Sequence, residues 1–297
     1  MELRHLRYFL TVAEELNFTR AAEKLMIAQP PLSRQIRDLE DELGTPLFIR
    51  QHHALQLTEA GQLFRRYAYR IVAMADKSVD DIRLMHRGLQ GMLYIAEVEG
   101  KAPHLVSGWI AGFAQEYPDV QYSLWNGDSD EVVKRVRAGL CDVAVVMEPF
   151  EHHGLHTRKV YHEPWVAIFP DGHPLAGKMD ERVYLEELAQ YDLIVPAKES
   201  RLQTITERFA QMGAEPRVRA RISNTLNVYE LVEQGMGVAI YPAAAADLIR
   251  DDGLKIREIV NPAMEATYVL IWSAEHVLSP VAEKFIEFIH DTLPPET

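Results

Sequence analysis

Four side chains that could bond DNA lie close together near the start of the chain. Gln29, Ser33, Arg34 and Arg37 carry hydrogen-bonding or cationic groups. Such groups match the donors and acceptors that base pairs present in the major groove, and the phosphates beside it. On a helix that begins at Pro30, they would share the face left free once an apolar stripe is buried. We therefore expect a helix start whose exposed amides and side chains contact phosphates and base edges.

Two short helices must hold these side chains in place. Apolar residues repeat at helical spacing, at Phe18, Ala21, Ala22 and Leu25 in the first and at Ile36, Leu39 and Leu43 in the second. Pro30 and Pro31 suit the second helix start, because the first helical amides have no partner within the helix to lose. The pattern predicts a helix-turn-helix whose second helix is the recognition helix. An ordinary helical hairpin within a core is the alternative.

Further elements complete the predicted N-terminal domain. A first helix covers Leu3 to Glu15 and packs across the other two, and Gly44 ends the recognition helix. A two-stranded wing runs from Pro46 to Thr58, and its tip consists of Arg50, Gln51, His52 and His53. Arginine and histidine at a wing tip can reach phosphates or the minor groove. A solvated turn is the alternative for the two histidines.

The N-terminal segment contains LRYFLTVAEELNFTRAAEKLMIAQPPLSRQIRDLEDELGTPLFIR, followed by LTEAG at 57–61. In these motifs and their order it resembles the LysR-type transcriptional regulators, and IAQPPLSRQI is most similar to the branch that controls aromatic-acid degradation. Many relatives carry Ser where this chain has Ala28. The resemblance implies a winged helix-turn-helix over residues 1–58 that binds double-stranded DNA. We expect DNA contacts from Thr19, Arg20, Gln29, Pro30, Pro31, Ser33, Arg34, Arg37, Arg50 and His52.

Within that set, two roles are expected. Gln29, Ser33 and Arg34 would bond bases, because they lie at the helix start that enters the groove. The phosphate contacts would come from Arg20, Arg37 and Arg50.

A long helix is predicted next, over residues 59–87. Its seam residues follow each other at intervals of three or four and are Phe64, Tyr67, Ile71, Met74, Ser78, Ile82 and Met85. Such spacing favours packing against a partner helix. We expect a dimerisation helix, which the resemblance also implies, so that two recognition helices face an interrupted palindromic DNA site. Packing of the helix on the C-terminal part of its own chain is the alternative.

Strand and helix patterns alternate from residue 92 to the C-terminus. Residues 92–147 form a β-α-β-α-β unit, which favours a parallel sheet with right-handed crossovers. A second series opens at Pro164, and the chain crosses between two lobes near Tyr161–Pro164 and Asn261–Ala266. The predicted fold class is therefore α/β, and it resembles the periplasmic-binding-protein-like effector domain of the LysR family. We place lobe I at residues 92–163 and 266–297, and lobe II at residues 164–265.

Ligands of open α/β sheets bind beyond the carboxyl ends of the strands, close to helix starts. The loops there supply the expected effector-binding residues, which are Glu97, Glu99, Gly100, Lys101, Asp128, Ser129, Ser200, Arg201, Asn224 and Thr225. Relatives often have Ser or Thr where the first loop has Glu97 and Glu99. We therefore expect a small-molecule effector with an amine or several hydroxyls, with Arg201 and the helix start at Thr225 binding any anionic end. Local pairing of the two glutamates with Lys101 is the alternative.

The net charge of −13 is unevenly distributed. Residues 1–87 carry 13 Lys and Arg against 12 Asp and Glu, whereas the remaining residues carry 18 against 32. The acidic C-terminal part would repel DNA and discourage docking through the wrong surface. Because the chain shows no secretory signal and no apolar run long enough for a membrane helix, we expect a cytoplasmic protein without a membrane partner.

The sequence gives little support to catalysis or metal binding. It contains no G-x-S-x-G, P-loop or H-E-x-x-H motif. The densest group of potential metal ligands is Glu151, His152, His153, His156 and His162. Gly154 disfavours the helix that would align them, so we expect no metal and no cofactor besides the effector. The single cysteine, Cys141, lies in a predicted buried strand, which favours a structural thiol over a redox sensor.

Two other classes of protein remain as alternatives. A two-lobed enzyme, such as a transferase, would use the same cleft but would leave residues 1–58 unexplained. A pure ligand-binding module is disfavoured by the missing secretory signal. We expect instead a homodimer or homotetramer that binds promoter DNA and also contacts RNA polymerase.

Overall fold

The computed structural model describes residues 1–51, 54–84, 89–178, 180–248 and 253–293. The chain divides into two compact units, Met1–Gly91 and Met92–Thr297. Helices dominate the first unit and a mixed sheet with flanking helices forms the second, which confirms the predicted fold class. Within the described residues, no helix is both long and apolar enough to cross a membrane.

The N-terminal unit contains three short helices, a wing and a long helix. Its elements are α1 (Leu3–Glu15), α2 (Phe18–Lys24), α3 (Gln29–Leu43), β1 (Phe48–Gln51), β2 (Ala54–Leu57) and α4 (Glu59–Leu84). The Asn17 side chain begins α2 by accepting hydrogen bonds from the amides of Thr19 and Arg20. Gly44 ends α3 with φ at +68°, a left-handed conformation that costs glycine no steric strain.

The helices and the wing share one apolar core. Phe9 of α1 is fully buried at its centre, with ring centroids 5.3 Å from Phe48 of the wing and 4.9 Å from Phe64 of α4. Ala21 and Ala22 of α2 are buried where α2 meets α3, and their small side chains allow a close approach. This shared burial fixes the orientation of the recognition helix against the wing.

The long helix α4 has two apolar faces. Ala68 is fully buried, and Phe64 and Val72 pack on the same core as α1. A second face exposes a stripe of four residues, Leu63, Tyr67, Ile71 and Met74, whose exposed fractions are 45, 54, 41 and 38%. The predicted seam was therefore partly wrong, because Phe64 belongs to the core of its own unit. Met85, its last member, and the side chain of Ile82 lie outside the described residues.

The C-terminal unit begins with alternating strands and helices. Its first elements are β3 (Gly91–Glu97), α5 (Ala102–Glu116), β4 (Val120–Asn126), α6 (Ser129–Arg137), β5 (Val143–Met147) and the long β6 (Leu155–Pro170). Next come β7 (Arg182–Tyr184), α7 (Leu185–Leu188), β8 (Asp192–Pro196), α8 (Glu199–Gln211), β9 (Arg217–Ile222), α9 (Thr225–Glu233), β10 (Val238–Pro242) and β11 (Leu254–Val260). The last elements are β12 (Glu265–Ser273) and α10 (Pro280–Thr292), and 3₁₀ helices cover Pro174–Gly177 and Ala243–Leu248.

The strand order is β4-β3-β5-β12-β6-β10-β8-β9, with β11 paired to β6 and β7. Strands β3 and β5 are parallel on one side, and β10, β8 and β9 are parallel on the other. The antiparallel pair β6 and β12 joins the two halves, from Pro164 opposite Glu265 to Leu155 opposite Ser273. We call the half containing β3–β5 the first lobe and the half containing β8–β10 the second lobe.

Three strand segments were missing from the sequence prediction. These are β7, β11 and the first half of β6, which includes the segment 155–163. That part of β6 is rich in His, Arg, Lys and Thr, and its two buried residues, Arg158 and Glu163, are charged, so it lacks the apolar run that predicts a buried strand. Strand β11 likewise carries charged residues at exposed positions. Pairing with neighbours distant in sequence, rather than local pattern, makes these segments strands.

Candidate functional site

The recognition helix presents most of the predicted DNA-binding side chains to solvent. Gln29, Pro30, Arg34 and Arg37 are exposed on α3, as is Pro31. Thr19 and Arg20 are exposed at the start of α2.

Ser33 does not share that exposed face. Only 8% of its surface is accessible, because it lies on the side of α3 that also buries Leu32 and Ile36. Its hydroxyl lies 3.4 Å from Nη2 of Arg37, and its carbonyl oxygen accepts a hydrogen bond from Nε of Arg37 at 3.3 Å. The expectation that Ser33 lies on the exposed face of α3 is therefore wrong.

The start of α3 also offers fewer amides than the sequence analysis assumed. Ala28 precedes the helix and has no side chain that could cap it. Pro30 and Pro31 have no N–H group, so Gln29 carries the sole backbone donor among the first three helical residues. Side chains, rather than backbone amides, must provide most of the bonds that this helix start can donate.

The three arginines near the helix start differ in their partners. No described residue hydrogen-bonds or ion-pairs with the guanidinium of Arg34. Arg37 donates a hydrogen bond to the carbonyl oxygen of Ser33, and Arg20 donates one to the carbonyl oxygen of Glu15 at 2.6 Å. Arg34 therefore has its full set of donors available to a ligand outside the chain.

A carboxylate on α3 positions the wing. Oε1 of Glu40 accepts hydrogen bonds from the amides of Leu47 and Phe48, at 2.8 and 3.1 Å. These bonds tie the first strand of the wing to the recognition helix. Arg50 belongs to that strand, but its side chain and the whole of His52 lie outside the described residues.

A second candidate site is a cavity of about 570 Å³ between the two lobes of the C-terminal unit. It lies beyond the carboxyl ends of the parallel strands, where the sequence predicted a ligand. Five of the expected effector-binding residues line it, namely Glu99, Gly100, Asp128, Arg201 and Thr225. The volume falls within the range of pockets that hold small molecules.

The other five expected residues do not line this cavity. Glu97 is buried, and its Oε1 accepts a hydrogen bond from Nδ2 of Asn126 at 3.3 Å. Burial raises the pKa of the Glu97 carboxyl above its usual value, and the bond from Asn126 opposes that rise. Ser129 is fully buried and donates its hydroxyl to the carbonyl oxygen of Met147. Both side chains thus support the cavity wall from behind.

Lys101, Ser200 and Asn224 also do not line the cavity. The amide of Lys101 donates to the Tyr268 hydroxyl at 3.1 Å. Asn224 caps α9 by accepting a hydrogen bond from the amide of Leu226 at 2.8 Å. The hydroxyl of Ser200 is buried and has no hydrogen-bond partner among the described residues.

Glu99 forms a bridge between the lobes. Its Oε2 accepts hydrogen bonds from the amide of Thr225 at 3.4 Å and from the Thr225 hydroxyl at 3.1 Å. The start of α9, expected to bind an anionic end of the effector, is therefore already occupied by a carboxylate of the chain itself. The alternative for the two glutamates was local pairing with Lys101. In the structure Glu97 instead accepts a hydrogen bond from Asn126, and Glu99 accepts one from Thr225.

Cavity residues that the sequence analysis missed include two tyrosines and a lysine. Tyr241 and Tyr268 line the cavity, and burial raises the pKa of both phenols. Nζ of Lys198 lies 3.3 Å from Oδ1 of Asp130, a second contact between the lobes. Lys198 could have been suspected, because it lies in the short loop between the strand predicted over 192–196 and the helix predicted to begin at Arg201.

Arg201 is a second cation that lines the cavity. Burial lowers the pKa of its guanidinium, and the neighbouring Tyr268, Tyr241, Glu99 and Asp128 oppose that effect. No described residue hydrogen-bonds or ion-pairs with this guanidinium. Since arginine stays charged in proteins, the cavity contains a cation without a counter-ion in contact.

Gly100 allows the first lobe to approach the crossover strand. Its φ is +98°, and a Cβ atom there would lie 2.5 Å from the hydroxyl of Tyr268. A larger residue would therefore displace the tyrosine.

One residue of the histidine-rich group, His152, makes a stacking contact. Its ring lies against the ring of Phe150 at a centroid distance of 4.1 Å. Across the part of the chain that the structure describes, no group of three or more His, Cys, Asp and Glu side chains is placed to hold a metal ion.

Two family models together match most of the chain. The model for the bacterial regulatory helix-turn-helix protein, lysR family, matches residues 3–62. The model for the LysR substrate binding domain matches residues 86–294.

Several curated proteins are similar over most of their length. The HTH-type transcriptional regulator AlsR of Bacillus subtilis (strain 168) is 30% identical over 290 residues, which cover 96% of this chain and 94% of that protein. The HTH-type transcriptional regulator CatR of Pseudomonas putida is 34% identical over 255 residues, covering 85% of this chain and 86% of that protein.

Solved structures show the same similarity. CbnR, a LysR family transcriptional regulator, superposes with a TM-score of 0.81 at 27% identity, covering 99% of this chain and 100% of that chain. Full-length CbnR complexed with its target DNA gives a TM-score of 0.80, also at 27% identity, over 98% of this chain and 99% of that chain.

Proposed function

Since the chain belongs to the LysR family of DNA-binding transcriptional regulators, we propose that α3 bonds the bases of its operator through Gln29 and Arg34. The observation that carries this proposal is the exposed guanidinium of Arg34, which has no described partner. Arginine bonds guanine in a bidentate manner, and glutamine can do the same with adenine. Family membership also makes the chain a regulator and not an enzyme.

The remaining predicted contacts would hold α3 in register on the duplex. Arg37 would bond phosphate, with Ser33 orienting its guanidinium rather than contacting a base. Thr19, Arg20 and the wing residues Arg50 and His52 would add contacts to the backbone, and Pro30 and Pro31 would pack against it. Such contacts raise affinity for any sequence, whereas Arg34 would discriminate between sequences.

We propose that the cavity between the lobes is the effector site of the C-terminal domain. Glu99, Gly100, Asp128, Arg201 and Thr225 would contact the effector. The other expected residues, Glu97, Lys101, Ser129, Ser200 and Asn224, would hold the surrounding loops. Because Glu99 and Lys198 already make contacts between the lobes, a ligand that replaces either contact would change the preferred lobe arrangement.

The exposed stripe on α4 supports self-association. We infer that two copies pair through Leu63, Tyr67, Ile71 and Met74, because a stripe at spacings of four, four and three residues suits helix-to-helix packing. Two such dimers would form the expected tetramer. The assembly would act in the cytoplasm, bind interrupted palindromic promoter sites and contact RNA polymerase.

The domain limits follow from the same roles. We propose residues 1–58 for DNA binding, 59–87 for dimerisation and 92–297 for effector binding, with lobe I at 92–163 and 266–297 and lobe II at 164–265. The compact unit that begins at Met92 agrees with the start of the effector domain.

A footprint on the DNA upstream of the chain's own gene tests the DNA-binding proposal. We expect two protected half-sites on one face of the duplex, related by a two-fold axis. Protection of a single half-site, unchanged when the protein concentration is raised, would contradict binding by a symmetric dimer.

A further inference from the structure

Three helix starts surround the cavity between the lobes, and they differ in charge. The start of α6 is acidic, because Asp128 caps it and Asp130 and Glu131 occupy its first turn. Oδ1 of Asp128 accepts hydrogen bonds from the amides of Asp130 and Glu131 at 2.8 and 2.9 Å. The backbone donors there are satisfied, so this wall offers negative charge without free amides.

The start of α9 is closed to anions. Glu99 accepts hydrogen bonds from the amide and the hydroxyl of Thr225, and Asn224 accepts one from the amide of Leu226. A ligand carboxylate at this position would meet the Glu99 carboxylate and find its donors already used. Glu99 thus fills the place that an acidic ligand would otherwise occupy.

The start of α8 carries two cations beside the cavity. Lys198 precedes the helix without a capping hydrogen bond, and Arg201 lies in its first turn. The acid of that turn, Glu199, is 83% exposed and lies 3.9 Å from the guanidinium of Arg221. Cations at a helix start oppose the helix dipole, so this arrangement is stabilised when an anion binds there. The Arg201 guanidinium has no described hydrogen-bond or ion-pair partner, and the buried hydroxyl of Ser200 also has none among the described residues.

An unpaired acid faces the same cavity from the first lobe. Glu131 is among the residues that line the cavity and is solvent-exposed, and no described residue donates a hydrogen bond to its carboxylate or forms an ion pair with it. Within the described part of the chain, the cavity therefore has an unpaired cation, Arg201, on the second lobe and an unpaired anion, Glu131, on the first. Because the two belong to different lobes, one ligand that bonds both would link the lobes.

From this polarity we propose that the cavity binds a zwitterionic ligand of the α-amino-acid class. Its carboxylate would bond Arg201 at the start of α8, and its ammonium group would face Glu131 and Asp128 at the start of α6. Glu99, by closing α9, excludes simple carboxylic acids from the alternative anion position. This inference rests on the proposed effector site and specifies its ligand chemistry.

Calorimetry on the full-length protein tests the ligand class directly. The probes are the twenty standard L-amino acids, together with the deaminated acid and the decarboxylated amine that correspond to each one that binds. We expect at least one amino acid to bind, and both of its truncated analogues to bind at least about tenfold more weakly, since each lacks one of the two charged contacts. Failure of all amino acids to bind, or equal binding of the deaminated acid, overturns the proposal.

Three variants assign the contacts. Arg201→Met and Glu131→Gln should each weaken amino-acid binding by about tenfold or more, and Glu131→Gln should abolish the preference over the deaminated acid. Glu199→Gln is the matched control, because Glu199 also lines the cavity but ion-pairs with Arg221 at 3.9 Å. Equal losses in the control and in Glu131→Gln, or unchanged binding in Arg201→Met, would overturn the assignment. Thermal melting of each variant separates loss of a contact from loss of the fold.

DNA anisotropy with and without the bound amino acid separates this inference from the proposed function. Binding with the expected selectivity but no change in DNA affinity or protection pattern would refute effector control while leaving the ligand class intact. Altered DNA binding by a deaminated acid that competes for the same cavity would support effector control and overturn the ligand class.

Discussion

The hydroxyl of Tyr268 donates a hydrogen bond to the buried carboxylate of Glu163 at 2.8 Å, which joins the two crossover strands β12 and β6. The other carboxylate oxygen accepts the amide of Ala244 at 2.9 Å, at the start of a 3₁₀ helix in the second lobe. One acid therefore fastens the crossover to both lobes, beside the cavity that Tyr268 lines.

Replacing that acid by its amide should destabilise the protein. Glu163→Gln retains one acceptor oxygen but turns an NH₂ group toward one of the two donors, Tyr268 or Ala244. We expect a loss of roughly 1–3 kcal/mol, the cost of an unsatisfied buried group. Tyr268→Phe removes the donor to Glu163 and also the acceptor of the Lys101 amide, so it should destabilise the protein as well. Thermal melting checks both variants, and a Glu163→Gln protein that melts with the wild type would disprove the bridge.

The buried Glu97 predicts a pH-dependent stability difference. Its pKa is raised above the ordinary 4.5 by burial, so the folded state holds this proton to higher pH than the unfolded state does. The contribution of Glu97 to stability is therefore complete below pH 4.5 and is lost as the pH rises through the folded-state pKa. The side chain of the Glu97→Gln variant stays neutral. In denaturant titrations, the free energy of unfolding of this variant should therefore rise relative to that of the wild type between pH 5 and pH 8. A difference that stays constant over this range would show that Glu97 is not the titrating group.

The double proline at the start of α3 explains why Ala28, in place of a capping serine, should cost the protein little stability. A capping serine accepts hydrogen bonds from the second or third helical amide, and these positions are Pro30 and Pro31. Ala28→Ser should therefore leave the melting temperature unchanged. In a Pro31→Ala background the same change should stabilise by about 1 kcal/mol, because a donor is restored. Equal effects in both backgrounds would mean that capping is not what links positions 28 and 31.

The stripe on α4 predicts the assembly state. Ile71→Glu and Tyr67→Glu place a charge on the proposed helix-to-helix surface and should dissociate the protein toward single chains of 33.9 kDa in light scattering. Tyr69→Glu is the control, because Tyr69 is 52% exposed but lies outside the stripe. If the control dissociates equally, or the two stripe variants remain associated, another surface holds the copies together.

Local pattern was sufficient for the helix-turn-helix. The bounds of α1, the left-handed Gly44 and the exposure of Arg34 follow from apolar spacing within a few turns. Ser33 was misplaced because a small polar residue can border a buried stripe without disturbing it, and spacing alone does not show how far the core extends.

The cavity was harder to predict, because its contacts join residues far apart in the chain. Glu99 and Thr225 are separated by 126 positions, and Lys101 and Tyr268 by 167. Helix starts could be found from the strand and helix order, which located Arg201 and Asp128 correctly at the cavity. Whether a helix start has donors available to a ligand, or has them occupied by side chains of the protein, depends on how the lobes meet. Local sequence patterns do not predict that arrangement.

Fluorescence anisotropy across a salt series tests the central account, in which Arg34 discriminates between sequences and Arg37 holds phosphate. The DNA is the region upstream of the chain's own gene, with a base-shuffled duplex for comparison. Arg34→Ala should cost roughly 1–3 kcal/mol on the upstream DNA and little on the shuffled DNA. Arg37→Ala should weaken binding to both and reduce the salt slope by about one. Equal losses on both DNAs for Arg34→Ala would contradict base recognition by this helix.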